Sequence, residues 1–196
     1  MWNAISNVGD AALTLPIAVA CAIWLGFSSP RLAVRWIALL AAGMALVGIT
    51  KVLYAGCGIE ITSLDFRVIS GHTTLSTAVW GVAFALLFRC AGKNPHLGAL
   101  VGLLVGVLTA VARVFDDAHT VTEVIVGWML GATIAMLFLR SFARSETRLL
   151  RPHLAAFGLL LVASVAYGRH APFQAMIEDY SPGVCARIMA SAADSL

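Results

Sequence analysis

The sequence predicts an all-α polytopic membrane protein, a bundle of six transmembrane helices, on three observations. Apolar residues fill 60 % of the 196 positions and charged residues only 12 %, with a mean hydropathy of +0.91, far from the balance of a water-soluble domain. Six apolar runs follow one another, each near the length a helix needs to cross about 30 Å of hydrocarbon. Glycine and alanine are spread through every run, which suits close helix packing in lipid and one compact domain over 1–196.

The runs lie at about 11–27, 32–50, 73–89, 97–115, 121–139 and 153–168. The lead of the first, MWNAISNVGD, has no Lys or Arg, which argues against a cleaved signal and for a span. The second, third and fourth are separated by segments that carry charge, and the fifth opens on HTVTE, His119 to Glu123. The sixth fades into a polar tail, 169–196, to which no domain is assigned. No internal repeat is evident.

Lys and Arg in short loops are retained on the cytoplasmic side. One set of loops holds Arg31, Arg35, Arg89, Lys93, Arg140, Arg144, Arg148 and Arg151, eight of the thirteen basic residues. That set is expected to be cytoplasmic, with both termini outside. The net charge of +3 suits contact with anionic headgroups and gives no support for nucleic-acid binding.

The other face collects Lys51, Glu60, Asp65, Arg67 and His72, then Arg113, Asp116, Asp117, His119 and Glu123. Ionisable residues at span ends on one face point to a functional site, the alternative being a solvated rim of loop charges. Spacing favours the first. Ser70-Gly71-His72 opens the third span, and Arg113, His119 and Glu123 stand six and four apart at the start of the fifth.

This pattern resembles the type 2 phosphatidic acid phosphatase (PAP2) superfamily of membrane lipid phosphatases. That family has a lysine–arginine motif, then Pro-Ser-Gly-His, then Ser-Arg, five residues, His, three residues, Asp. Ser70, Gly71, His72, Arg113 and His119 match, and Lys51 stands at the first lysine. Ile69 replaces the proline, Ala112 the serine and Glu123 the aspartate, and Gly58 sits where the first motif has its arginine.

The resemblance implies a metal-independent phosphatase acting through a phosphohistidine, with no cofactor. His119 is the expected nucleophile and Glu123 the acceptor that fixes its tautomer, four positions on. Thr120-x-x-Glu123 also fits a capping box, and the two roles are compatible. His72 is the expected general acid. Lys51, Arg113, Ser70 and Gly71 are expected to hold phosphate oxygens, through charge or through amides at a helix start. Arg67, five residues before His72, is a candidate replacement for the missing arginine. For Lys51 the simpler alternative is a side chain reaching the headgroups, and for Ser70 ordinary capping.

A metal site built from His72, His119, Asp116, Asp117 and Glu123 is not expected, since no ligand-spaced motif is present. The four cysteines are scattered; Cys57 and Cys185 both fall outside the cytoplasmic face, where a disulfide and two free thiols are equally open. The expected substrate is a membrane lipid carrying a phosphate or pyrophosphate, and the bilayer is the expected partner. By analogy the protein belongs in a bacterial-type inner membrane with its site facing the periplasm. Two other readings stay open, a non-catalytic lipid-binding or transport protein with a degenerate site and a vanadate-dependent oxidant.

Overall fold

A computed structural model describes residues 2–145, 152–168, 177, 181 and 183. The described residues form α1 (Trp2–Ser6), a 3₁₀ turn (Asn7–Gly9), α2 (Ala11–Ser28), α3 (Pro30–Cys57), α4 (Gly71–Cys90), α5 (Pro95–Phe115), α6 (Val121–Ala143) and α7 (Pro152–Ala166). Among them the only strand-like pairing is an isolated bridge between Ile61 and Phe66.

The boundaries follow local chemistry. Asp10 caps α2, accepting from the Ala12 amide at 2.7 Å, and Asn94 caps α5 through the His96 amide at 2.9 Å, with Pro95 in the first turn. Pro30 opens α3 after an extended Ser29. Gly58, with φ of +65°, closes it, and its amide is bonded to the Tyr54 carbonyl.

Five helical stretches, the first running Trp2–Ser28, are long and apolar enough to cross a membrane. The protein is an integral membrane protein. α7 has 15 residues, about 22 Å at 1.5 Å per residue, and is the short member of the six. The expected second span, 32–50, is extended to Cys57, because nothing between 50 and 57 breaks the helix. Of the expected tail, 169–196, all but 177, 181 and 183 lies outside the described residues.

α4 is the central helix, the most buried of the five. It is approached through glycines. A Cβ on Gly98, Gly102 or Gly106 of α5 would come within 2.3 Å of α4 atoms, and one on Gly131 of α6 within 2.6 Å of the Thr74 carbonyl. Any side chain there would force the helices apart, so these positions set the interhelical distance. The hydroxyls α4 buries are bonded: Ser76 to Thr109 at 2.8 Å, and Thr74 to the Ser70 and Gly127 carbonyls. Elsewhere the core is apolar, with Trp36, Phe138, Phe142, Leu25 and Leu86 fully buried.

Because successive spans alternate in direction, the starts of α2, α4 and α6 and the ends of α3 and α5 lie at one face of the bundle. His72, Lys51, Arg113, His119 and Glu123 all stand there. The lead segment reaches the same face: Trp2 stacks on Phe115 with ring centroids 4.7 Å apart, and Trp80 donates to the Val8 carbonyl at 3.0 Å.

Candidate active site

A cavity of about 810 Å³ opens at this face. Its polar wall is Asp10, Lys51, Tyr54, Arg67, His72, Arg113, His119 and Glu123. Leu15, Met44, Val47 and Leu75 form an apolar wall. Of the residues expected from sequence, Lys51, Arg67, Gly71, His72, Arg113, His119 and Glu123 are brought together, and Ser70 is the exception.

Nδ1 of His119 lies 2.6 Å from Oε2 of Glu123. Their side chains do not meet as neighbours on one helical face, because α6 begins only at Val121. The capping box brings them together. Thr120 Oγ1 accepts from the Glu123 amide at 3.4 Å, and Glu123 Oε2 turns back to the Thr120 amide at 3.3 Å, which sets the carboxylate beside the residue before the cap.

Glu123 is almost wholly buried, and its second oxygen accepts from the amides of Arg67 and Val68 at 3.0 and 3.2 Å. One carboxylate therefore anchors a histidine, a helix start and the 61–70 loop. The His119 imidazole is pushed down to about 4 by burial, opposed by the Glu123 bond and aided by the Arg113 and Lys51 charges. Near neutral pH the ring is uncharged, and with Nδ1–H given to Glu123 its Nε2 keeps a lone pair.

His72, in the first turn of α4, has Nε2 3.4 Å from Oδ2 of Asp10. Arg113 donates from one terminal nitrogen to Ser6 Oγ at 3.1 Å, while its buried Nε has no hydrogen-bond partner among the described residues. A buried donor left open beside a cavity suits an anion with oxygens to spare. The Arg67 side chain is 42 % exposed, packs over the Tyr54 ring and has Nε 3.6 Å from Glu123 Oε1.

The family model of the PAP2 superfamily matches residues 53–147, from the end of α3 to just past α6. The chain belongs to the PAP2 superfamily. At the level of that family its activity is of the phosphatase type. A relative described as an uncharacterized 22.5 kDa protein in the cps region of Klebsiella pneumoniae is 34 % identical over 141 residues, covering 70 % of this chain and 68 % of that protein. No solved structure matches the chain significantly.

Two of the departures from the PAP2 motifs have structural counterparts. Ile69, in the proline position, donates its amide to Thr50 Oγ1 at 3.1 Å, a bond that proline has no N–H to make. Gly58, in the arginine position, takes the left-handed conformation that ends α3. Ala112, in the serine position, is fully buried and nothing in the structure explains the exchange. Ser70 matches the motif, yet its side chain is enclosed as the cap of α4, 3.0 Å from Thr73 Oγ1, and does not line the cavity.

Sequence reasoning missed Asp10 and Tyr54. Asp10 stands before an apolar run, where its sequence signal is that of an ordinary helix cap, and only the fold places it at His72. Among the described residues no three His, Cys, Asp or Glu side chains gather in a metal-binding arrangement. Cys57 is disulfide-bonded, and Cys21 and Cys90 are free. Its suggested partner, Cys185, lies outside the described residues.

Proposed function

We propose that the protein hydrolyses the phosphate monoester or pyrophosphate of a membrane lipid through a phosphohistidine on His119. One observation carries this reading: the His119–Glu123 pair, at 2.6 Å, borders the same cavity as a second histidine and three cationic side chains. A phosphoryl group undergoing displacement needs its oxygens neutralised, its nucleophile aligned and its leaving oxygen protonated.

Nε2 of His119 attacks phosphorus while Glu123 stabilises the positive ring that forms. Arg113, Lys51 and Arg67 hold the equatorial oxygens, with amides at the start of α4, near Gly71, as further donors. Arg67 takes over the charge that the missing motif arginine would bring. Ser70 serves indirectly, by capping the helix that carries His72. His72 protonates the leaving oxygen, and its neutral form then activates the water that cleaves the P–N bond.

The lipid chain lies along Leu15, Met44, Val47 and Leu75, so the headgroup meets water and the chain stays among apolar side chains. The loop charges favour a site on the non-cytoplasmic side, which in a bacterial inner membrane is the periplasmic side. A polyprenyl pyrophosphate, a phospholipid phosphate and a lipid A phosphate all present the same chemistry here.

Protein purified in detergent, with chelator present, is expected to release inorganic phosphate from at least one of phosphatidate, phosphatidylglycerophosphate, polyprenyl pyrophosphate and a lipid A phosphate. His119→Ala is expected to abolish release. Turnover that survives this change removes the proposed nucleophile, and binding without turnover on the whole panel favours a lipid-binding protein.

A further inference from the structure

Asp10 is a buried carboxylate at the mouth of a cavity read here as a phosphate site. Burying a carboxylate is costly without a partner, and a negative charge beside a bound phosphate is repulsive. Capping α2 accounts for only part of it. The cap uses Oδ1, which accepts from Ala12, and an asparagine or serine would cap equally well. The other oxygen, Oδ2, faces Nε2 of His72 at 3.4 Å.

That approach is built into the backbone. The Val8 carbonyl accepts from the Trp80 indole of α4. At Gly9 a Cβ would come 2.8 Å from the His72 carbonyl and 2.6 Å from Thr109 Cγ2, so only glycine lets the lead segment lie this close. Asp10 is thus referenced to the helix that carries His72 by the two residues before it.

We infer that Asp10 is a positioning residue for His72, the counterpart of what Glu123 is for His119. The inference rests on the phosphatase reading above. Asp10 takes the Nε2–H and leaves Nδ1 to serve the leaving oxygen. As the bond from His119 to phosphorus forms and the bond from phosphorus to the leaving oxygen breaks, the electron pair stays on that oxygen, which takes the Nδ1 proton. In the second half, water gives a proton to Nδ1 and its oxygen to phosphorus, and the P–N electron pair returns to His119. His72 alternates between imidazolium and imidazole, and the carboxylate stabilises the first while holding the ring in one orientation.

The test is a series of phosphate monoesters of increasing leaving-group basicity, from nitrophenyl to alkyl, turned over by wild type, Asp10→Asn, His72→Ala and the double variant in detergent. Asparagine keeps the cap. Asp10→Asn is expected to lower kcat/KM on alkyl esters by about 100-fold and on nitrophenyl esters by much less, steepening the dependence on leaving-group basicity. The double variant is expected to be no slower than His72→Ala. A parallel loss along the series, no loss, or additive losses overturn the inference.

A second measurement does not need turnover. In ¹⁵N-histidine spectra, with His72→Gln supplying the assignment, the His72 ring is expected to carry its proton on Nε2, and Asp10→Asn to redistribute it. Unchanged His72 signals overturn the inference. Absence of wild-type turnover on every ester defeats the phosphatase reading instead, and the spectra still decide the role of Asp10.

Discussion

Glu123 joins His119 to the loop ahead of α4: Oε2 lies 2.6 Å from the imidazole Nδ1, while Oε1 accepts the amides of Arg67 and Val68 at 3.0 and 3.2 Å. The capping box and the histidine partnership are compatible readings of this residue, and one carboxyl group satisfies both. A buried acceptor with this many donors is demanding to replace.

Glu123→Gln keeps size and most of the cap but removes the charge that balances the imidazolium. The expected result is a fall in kcat of about 10²- to 10⁴-fold, read by phosphate release, with a smaller change in KM. The aspartate usual in the motif is one methylene shorter. Glu123→Asp is expected to lower the thermal midpoint in detergent as well, because it cannot reach the ring and the loop amides together.

His119 sets the acid limit of activity. Only the neutral ring attacks, and burial has brought its pKa from the ordinary 6.5 to about 4. The acid limb of kcat/KM is therefore expected to fall near pH 4, not near 6.5. Stability has the same sign. Between pH 6.5 and 4 the unfolded chain binds a proton here that the folded protein does not, so this group's contribution is complete above 6.5 and declines as pH drops through that window to about 4. A kcat/KM profile from pH 3.5 to 8, with midpoints followed in parallel, checks both. An acid limb centred at 6.5 would contradict the buried neutral ring.

The spans were legible because apolar length is a strong signal, and five of the six reach the membrane thickness. The convergence of Lys51, His72, Arg113 and His119 on one cavity was legible because helix ends alternate between faces, so charges at alternate ends come together. Asp10 was not, since its link to His72 depends on how Gly9 packs against α4, a contact between segments more than sixty residues apart that no local pattern encodes. Ser70 matched its motif for a simpler reason than phosphate binding, because a helix start needs a cap whether or not it faces a ligand.

Gly48 is a place to test the chain-binding wall. It lines the cavity, and a Cβ built on it meets nothing within 4 Å, so a larger residue fits the fold and fills the cavity instead. Gly48→Leu is expected to raise KM for long-chain lipid phosphates by roughly tenfold, the equivalent of about two buried methylenes, and to leave short-chain, water-soluble esters little changed. Equal effects on both would place the chain elsewhere.

Ile69 and Thr50 provide the last test, of why this chain departs from the proline of the motif. The Ile69 amide donates to the Thr50 hydroxyl at 3.1 Å, fastening the residue before the α4 cap to α3, and Ile69 is itself buried. A proline at 69 removes the donor and leaves the hydroxyl its intrahelical bond to the Val47 carbonyl. Ile69→Pro is thus expected to destabilise the protein, by about 1 kcal/mol for the lost bond plus the loss of the isoleucine packing, even though it restores the motif. Thr50→Val removes the acceptor from the other side and should cost about as much for the bond alone. In the Ile69→Pro background, Thr50→Val should then cost almost nothing further. Thermal midpoints of the four proteins in one detergent measure this coupling; full additivity would mean that the bond does not hold the loop, and that the motif's proline was exchanged for another reason.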